Sequence, residues 1–133
     1  MYKIIIFIFF MLNACLASAQ AQTVTPDQVP QVIETYNANQ ARFVNNYRGK
    51  RFDGQVTLAS VVENPVFKNN FTVQFDVGGQ EVDCPDITDK HVIKKIINWN
   101  KGQQITVIGS IEDVTFGDLE LSNCKLATQT PKN

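Results

Sequence analysis

The sequence contains a single histidine, a single tryptophan and only three cysteines among 133 residues. The histidine, His91, has no serine or cysteine arranged with it in a recognisable nucleophile motif. EF-hand and nonapeptide calcium spacings are also missing, and the nearest carboxylate series, Asp83, Asp86 and Asp89, is explained by helix capping. The sequence therefore predicts no enzymatic activity, no metal and no other cofactor.

Apolar runs are short as well. The longest begins at Ile4 and ends at Leu12, whereas a membrane-spanning helix needs about 20 residues. This run follows Lys3 and precedes small residues at 17–19, which is typical of a secretory signal peptide. We therefore predict a signal peptide over residues 1–19, a periplasmic or secreted location and no membrane span in the mature protein.

Two processing routes stay open. Cleavage after Ala19 fits the small-residue site better and leaves Gln20 as the first residue. The segment 12–15 also resembles a lipobox, in which Cys15 becomes the acylated N-terminus of a membrane-anchored lipoprotein, although Asn13 fits that pattern poorly. An uncleaved anchor is a third alternative.

Positive charge is not in excess. Removal of residues 1–19 takes away Lys3 from the 12 Lys and Arg, so 11 basic and 13 acidic side chains remain. Nucleic-acid-binding proteins usually carry a clear positive excess. The charge balance therefore predicts that nucleic acid is an unlikely partner.

Cys84 and Cys124 are the thiols left to pair after either cleavage. In an oxidising compartment an even number of cysteines favours a disulfide, whose loop here would hold about 40 residues. Two separately buried thiols are the alternative.

The apolar periodicity changes from helical to extended along the mature chain. Residues 20–25 are predicted as a flexible lead, followed by one helix that begins at a Thr25 cap with Gln28 and ends near Gly49. Alternation then predicts strands over 52–58, 71–77, 80–84 and 105–111, with a fifth from Leu119.

Local features refine these elements. We expect a bulge or bend at Gly54, a hairpin turn at Gly78-Gly79 and a bulge near 122–123. Pro85 is expected to stop the third strand, and a second helix, capped by Asp86 or Thr88, is expected to run to about Asn100.

Several short motifs resemble the tRNA anticodon-like OB-fold family of small bacterial proteins: Tyr36-x-x-Asn39, Tyr47-Arg48-Gly49-Lys50-Arg51, Lys101-Gly102-Gln103-x-Ile105-x-Val107-x-Gly109 and Leu119-x-Leu121-x-Asn123-Cys124. The resemblance implies a mainly β fold, a five-stranded OB-fold barrel with an N-terminal helix and a helix between strands 3 and 4. The OB-fold domain then covers 26–127, and 128–133 form a frayed tail.

In an OB-fold, strands 2 and 3 and the loops between strands 1 and 2 and between strands 4 and 5 form the usual ligand surface. Here that surface is acidic and poor in aromatic residues. The candidate ligand-binding residues are Phe67, Lys68, Gln74, Asp76, Glu81, Asp83 and Phe116.

The leading hypothesis is an exported, non-enzymatic binding module for an envelope protein or glycan. A single-stranded nucleic-acid-binding domain is the alternative, and a small hydrolase or its regulator a weaker one. The identity of the ligand, the biological process and the oligomeric state are not encoded in any motif.

Overall fold

The computed structural model of the protein describes residues 22–128. The predicted signal peptide, Cys15 and most of the predicted C-terminal tail lie outside the described residues. The elements are a 3-10 helix (Pro26–Gln28), α1 (Val29–Ala38), α2 (Gln40–Asn46), β1 (Arg51–Glu63), β2 (Phe71–Val77), β3 (Gln80–Ile87), α3 (Lys90–Ile96), β4 (Gln104–Thr115) and β5 (Asp118–Thr128).

The five strands close into one barrel in the order β1-β2-β3-β5-β4. All pairs are antiparallel except β3 and β5, which run parallel. Alternate residues of each strand face inward and are buried: Val56, Leu58, Val73, Phe75, Val77, Val82, Cys84, Ile105, Val107, Ile111, Leu119 and Leu121. This architecture confirms the predicted fold class.

The N-terminal helical segment is divided in two. Thr25 N–H donates to Gln28 Oε1 at 3.0 Å, as the predicted cap requires. At Asn39 the backbone is extended, with φ −165°, and the Asn39 side chain accepts a hydrogen bond from Arg42 N–H at 3.1 Å. The single predicted helix is therefore wrong, because Asn39 ends one helix and caps the next.

Gly54 does not mark a bulge. The β1–β4 register continues without a shift from Arg51 to Thr57, and the β1 irregularity lies later, between Leu58 and Ser60. A Cβ atom on Gly54 would lie 2.2 Å from Pro26 Cδ. Glycine is needed here because the start of the helical segment packs directly on the strand.

The third strand continues beyond Pro85. Val73 pairs with Cys84 and Phe71 with Ile87, so β3 carries one extra residue in a bulge around Pro85 and Asp86. Proline has no backbone N–H, and a bulged residue does not need one to pair with the neighbouring strand. The prediction that Pro85 ends the strand is wrong for this reason.

The cap and the length of the second predicted helix also differ. Asp89, not Asp86 or Thr88, accepts hydrogen bonds from His91 N–H at 2.8 Å and Val92 N–H at 3.3 Å. α3 ends at Ile96, before the predicted Asn100.

Two other predictions are confirmed. The β4–β5 register shifts between the Ile108–Lys125 and Ser110–Ser122 pairs, which places a bulge in β5 at the predicted position. Cys84 and Cys124 form a disulfide with Cα atoms 6.1 Å apart.

Within residues 22–128, no helix combines the length and apolarity needed to cross a membrane.

Candidate ligand-binding face

The β2–β3 hairpin turns a polar side outward. We call this side the outer face; it consists of Thr72, Gln74, Asp76, Glu81 and Asp83. Asp76 is exposed and the other four side chains are half-buried. The outer face is the position at which OB-folds commonly bind their ligands.

Two exposed aromatic rings lie at opposite ends of the outer face. Phe67, 64% exposed, belongs to the β1–β2 loop that leads into the start of β2, whereas Phe116, 100% exposed, belongs to the β4–β5 turn. Because β5 runs parallel to β3 from the Val82–Leu119 pair, this turn lies beside the start of β3, at the far end of the hairpin. The length of β2 corresponds to about 20 Å.

The loop that carries Phe67 is held by hydrogen bonds. Asn64 Oδ1 accepts from Val66 N–H at 2.8 Å and from Phe67 N–H at 3.0 Å. Asn64 N–H donates to the Asn70 carbonyl at 2.7 Å, which closes the loop at its base. Phe67 and the exposed Lys68 are thereby presented from a preorganised loop.

The backbone of the β4–β5 turn is unusual at Phe116. Phe116 and Gly117 have φ values of +51° and +83°. Two-residue hairpin turns of this kind favour Asn or Gly at the first position, and a bulky residue there is strained. Because the Phe116 ring is fully exposed, no packing within the described chain accounts for its presence.

Hydrogen bonds connect the centre of the outer face. Ser60 Oγ on β1 bonds to Gln74 Oε1, and Gln74 Nε2 reaches Glu81 Oε2 at 3.5 Å. Asp76 Oδ1 accepts from Gly79 N–H at 3.0 Å and so supports the hairpin turn. Gln74 is thus fixed in the middle of the face, with Asp76 at its end.

Three carboxyl groups converge beside Gln74. Glu81, Asp83 and Asp118 each place an oxygen within 4.8 Å of the others. Burial raises the pKa of Asp83 to about 8, assisted by a hydrogen bond to Glu81 and by the negative charges of Glu81, Asp118 and Glu120. Burial and a hydrogen bond to Glu81 also raise the pKa of Asp118.

These shifts change the charge of the face. With a pKa of about 8, Asp83 is mostly protonated at neutral pH, so the face is less negative than a count of carboxyl groups indicates. A protonated carboxyl group can donate as well as accept a hydrogen bond. The same three groups offer hard oxygen ligands, which are the kind that Ca²⁺ and Mg²⁺ prefer.

The structure groups the candidate residues unevenly. Gln74, Glu81 and Asp83 are adjacent on the outer face, Phe67 and Lys68 lie at one end of it, and Asp76 and Phe116 lie at the other. Of the carboxylates considered together in the sequence, Asp86 instead bonds to Asn70 Nδ2 at 3.2 Å, and Asp89 caps α3.

Asp118 is not among the candidate ligand-binding residues, although the sequence places it in the loop between strands 4 and 5 on the expected ligand surface. The residue opens β5, and the OB strand order, in which β5 neighbours β3, could have placed it beside Glu81 and Asp83.

A closed barrel with this strand order, a helix between β3 and β4 and an outer face flanked by two loops defines an OB-fold protein. No protein-family model matches the chain, and no curated protein is similar to it in sequence. The resemblance to the tRNA anticodon-like family therefore stays a prediction from the quoted motifs.

Solved structures share the fold. One, from Klebsiella pneumoniae subsp. pneumoniae MGH 78578, is described as a "putative nucleic acid-binding lipoprotein"; it is 17% identical, with 80% of this chain and 92% of that chain aligned at a TM-score of 0.58. Another, a "putative aspartyl-tRNA synthetase" from Leishmania major Friedlin, is 9% identical, with 92% of this chain and 24% of that chain aligned at 0.52.

The expectation that nucleic acid is an unlikely partner is contradicted by this comparison. The Klebsiella pneumoniae protein, which shares the fold over 92% of its own chain, is described as a "putative nucleic acid-binding lipoprotein". The physical reason is that the prediction treated every carboxyl group of the face as negatively charged, whereas burial raises the pKa of Asp83 to about 8. It also gave little weight to the exposed rings of Phe67 and Phe116.

Proposed function

We propose that this chain is an exported OB-fold module that binds single-stranded nucleic acid on its outer face. The observation that carries the proposal is the placement of Phe67 and Phe116, the two exposed rings, at the two ends of that face. A base stacked on an aromatic side chain contributes about 1 to 3 kcal/mol. A strand lying along the hairpin would stack one base at each end.

The groups between the two rings suit base edges better than phosphates. Carboxylates accept hydrogen bonds from amino groups such as cytosine N4, and an amide both donates and accepts. Glu81, Gln74 and the protonated Asp83 therefore offer both kinds of hydrogen bond to unpaired bases. Single strands expose these edges, whereas a duplex hides them.

Charge limits how the phosphates can be placed. Lys68 is the only basic side chain among the candidate residues, and it lies at the Phe67 end. Each phosphate contact to a single strand contributes about −0.7 to the slope of log K against log salt. We expect a shallow slope, near −1, rather than the steep dependence of binding driven by a basic groove.

Export and a binding role complete the proposal. The 1–19 segment has the pattern of a signal peptide, and a Cys84–Cys124 disulfide suits the periplasm or an extracellular location. His91 is exposed on α3, and both described cysteines are bridged, so neither offers a free thiol. We infer a non-enzymatic protein related to the tRNA anticodon-like OB-fold family by the motifs quoted above.

Fluorescence anisotropy with a labelled 12-nucleotide pyrimidine DNA or RNA tests the proposal at several salt concentrations. Phe67→Ala and Phe116→Ala should each weaken binding by roughly 5- to 150-fold, the range that stacking energies give. Val66→Ala is the matched control, because Val66 is 75% exposed in the same loop but has no ring. Binding that is absent, or unaffected by both phenylalanine variants, would refute the proposed site.

A further inference from the structure

Positive charge is concentrated on α3 and in the segment that follows it. Residues 90–111 contain four lysines and no aspartate or glutamate. These lysines, Lys90, Lys94, Lys95 and Lys101, are all exposed, and none forms a salt bridge with another residue of 22–128. We call them, together with Ile97 and Trp99, the α3 patch.

Apolar side chains interrupt the charge of the α3 patch. Ile97 is 63% exposed, which is unusual for an isoleucine directly after a helix that packs on a core. Trp99 is half-buried and contacts the core. Lys95 and Trp99 line one shallow pocket together with Ala127 and Thr128 at the end of β5, so the charged and apolar groups are contiguous.

The helix geometry aligns part of the patch. Lys90, Lys94 and Ile97 follow one another at spacings of four and three residues, which places them along one side of the helix. Ile96, 1% exposed, faces the barrel from another side. The outward side therefore presents an aliphatic chain next to two ammonium groups, and no described hydrogen bond or ion pair engages the tips of their side chains.

We propose that the α3 patch docks the protein on an anionic phospholipid surface. Basic residues near such a surface are attracted by its negative potential, while an exposed aliphatic side chain and a tryptophan favour the interfacial layer. The outer face belongs to the β2–β3 side of the barrel, so this inference does not depend on the proposed nucleic-acid site. The acidic groups next to α3, which are Asp86, Asp89, Glu112 and Glu120, line a cavity with Val92. Val92 is two residues from both Lys90 and Lys94, so it faces away from their side of the helix.

A membrane surface suits the patch better than a nucleic-acid backbone does. Its cations are all lysines, which act as point charges, whereas arginine supplies the bidentate geometry that phosphate recognition often uses. Ile97 can neither stack on a base nor hydrogen-bond, but it can enter the boundary between headgroups and acyl chains.

Vesicle cosedimentation tests the inference. Every sample is the chain that begins at Gln20, the predicted mature N-terminus, so that no acyl chain on Cys15 contributes to binding. Vesicles of 30% phosphatidylglycerol in phosphatidylcholine are compared with pure phosphatidylcholine at low and physiological salt. We expect binding to the anionic vesicles alone, weakened as salt screens the charges.

Two variants and one control locate the binding. Lys94→Glu removes one positive charge and adds one negative charge, so binding should fall about 25-fold, at about fivefold per charge. Ile97→Ser should weaken it about tenfold. Arg42→Glu is the matched control: the residue is exposed on α2, has no described salt bridge and undergoes the same charge reversal, and its binding should stay near that of the parent.

Each possible outcome decides the question. Equal binding to neutral vesicles, equal losses for Lys94→Glu and Arg42→Glu, or no binding at all would overturn the inference. If Lys94→Glu instead reduces oligonucleotide affinity and leaves vesicles unbound, the α3 patch is a nucleic-acid surface. Retention of oligonucleotide binding by Lys94→Glu, alongside loss of vesicle binding, would support two separate faces.

Discussion

The disulfide between Cys84 and Cys124 joins β3 to β5 where their backbone pairing stops. The two strands are in register at only two positions, Val82 with Leu119 and Asp83 with Glu120. Cys84 is the next residue along β3, and its bond to Cys124 continues the closure covalently. The disulfide therefore supports barrel closure between β3 and β5, the strand pair with the fewest paired residues.

Loss of this link should lower stability considerably. The bridge spans 40 residues, so the Cys124→Ser variant should lose about 2 to 5 kcal/mol of unfolding free energy in the oxidised state. Cys124 is half-buried, which makes serine less disruptive there than at the fully buried Cys84. Denaturant unfolding measures the difference.

Reduction provides the control for this variant. With a reductant present, the parent and Cys124→Ser should unfold at similar denaturant concentrations. A large difference that persists after reduction would mean that packing of the sulfur, not the bond, is responsible.

A second prediction concerns the contact between Gly54 and Pro26. Gly54→Ala should destabilise the fold by about 1 to 3 kcal/mol, because the new methyl group would meet Pro26 Cδ and Cγ at 2.2 and 2.4 Å. The double variant Gly54→Ala/Pro26→Ala should recover much of this loss. Thermal unfolding of the parent, Gly54→Ala, Pro26→Ala and the double variant gives the coupling energy between the two positions. A Gly54→Ala variant more stable than the parent would contradict the contact.

This contact illustrates what the sequence could and could not predict. Strand alternation, the Gly78-Gly79 turn and the β5 bulge follow from local patterns, and they were predicted correctly. The need for glycine at position 54 comes from a residue 28 positions earlier in the chain, which no local pattern contains. The same holds at Pro85, since proline ends a regular strand but is accepted in the bulge that forms here.

The candidate face was predictable in its residues but not in its electrostatics. OB topology identified Phe67, Phe116 and the outward positions of β2 and β3. The protonation of Asp83 depends on burial and on Asp118 and Glu120, which arrive from β5. A count of charges along the chain treats these groups as independent, and so it overestimated the repulsion of a nucleic acid.

The raised pKa of Asp83 predicts a fall in stability with rising pH. The ordinary pKa of Asp83 is 3.8, and in the folded protein it is about 8. At pH values between these two, the folded protein binds more protons at Asp83 than the unfolded chain does. Stability should therefore fall across this interval and become level above it. Asp118, whose pKa is also raised, acts in the same direction.

Asp83→Asn tests this assignment, since an amide stays neutral throughout. The variant should show a smaller fall in stability between pH 5 and pH 8, measured by urea unfolding at several pH values. Glu34→Gln, an exposed change on α1, should keep the slope of the parent. Titration of the Asp83 carboxyl carbon by NMR would contradict the assignment if its midpoint lay near 4.

The N-terminal residue of the exported protein shows which processing route is used. Intact-mass and N-terminal analysis should find Gln20 as the first residue, because the small-residue site at 17–19 matches signal peptidase cleavage best. An acylated Cys15 at the N-terminus would establish the lipoprotein route instead. Cys15→Ser separates the two, since it should leave the first route intact and abolish the second.

The last prediction concerns Asn64, which lies at the base of the β1–β2 loop and is not part of the outer face. Asn64→Ala removes the acceptor of the Val66 and Phe67 amide hydrogen bonds, so the loop should become more mobile while the barrel remains intact. Faster amide hydrogen exchange at these two residues would report the change. Under the proposed function, oligonucleotide affinity should fall about fivefold, the equivalent of about 1 kcal/mol for a hydrogen bond of this kind. Asn45→Ala on α2 should alter neither quantity, and a loosened loop with unchanged affinity would show that Phe67 does not contact the strand.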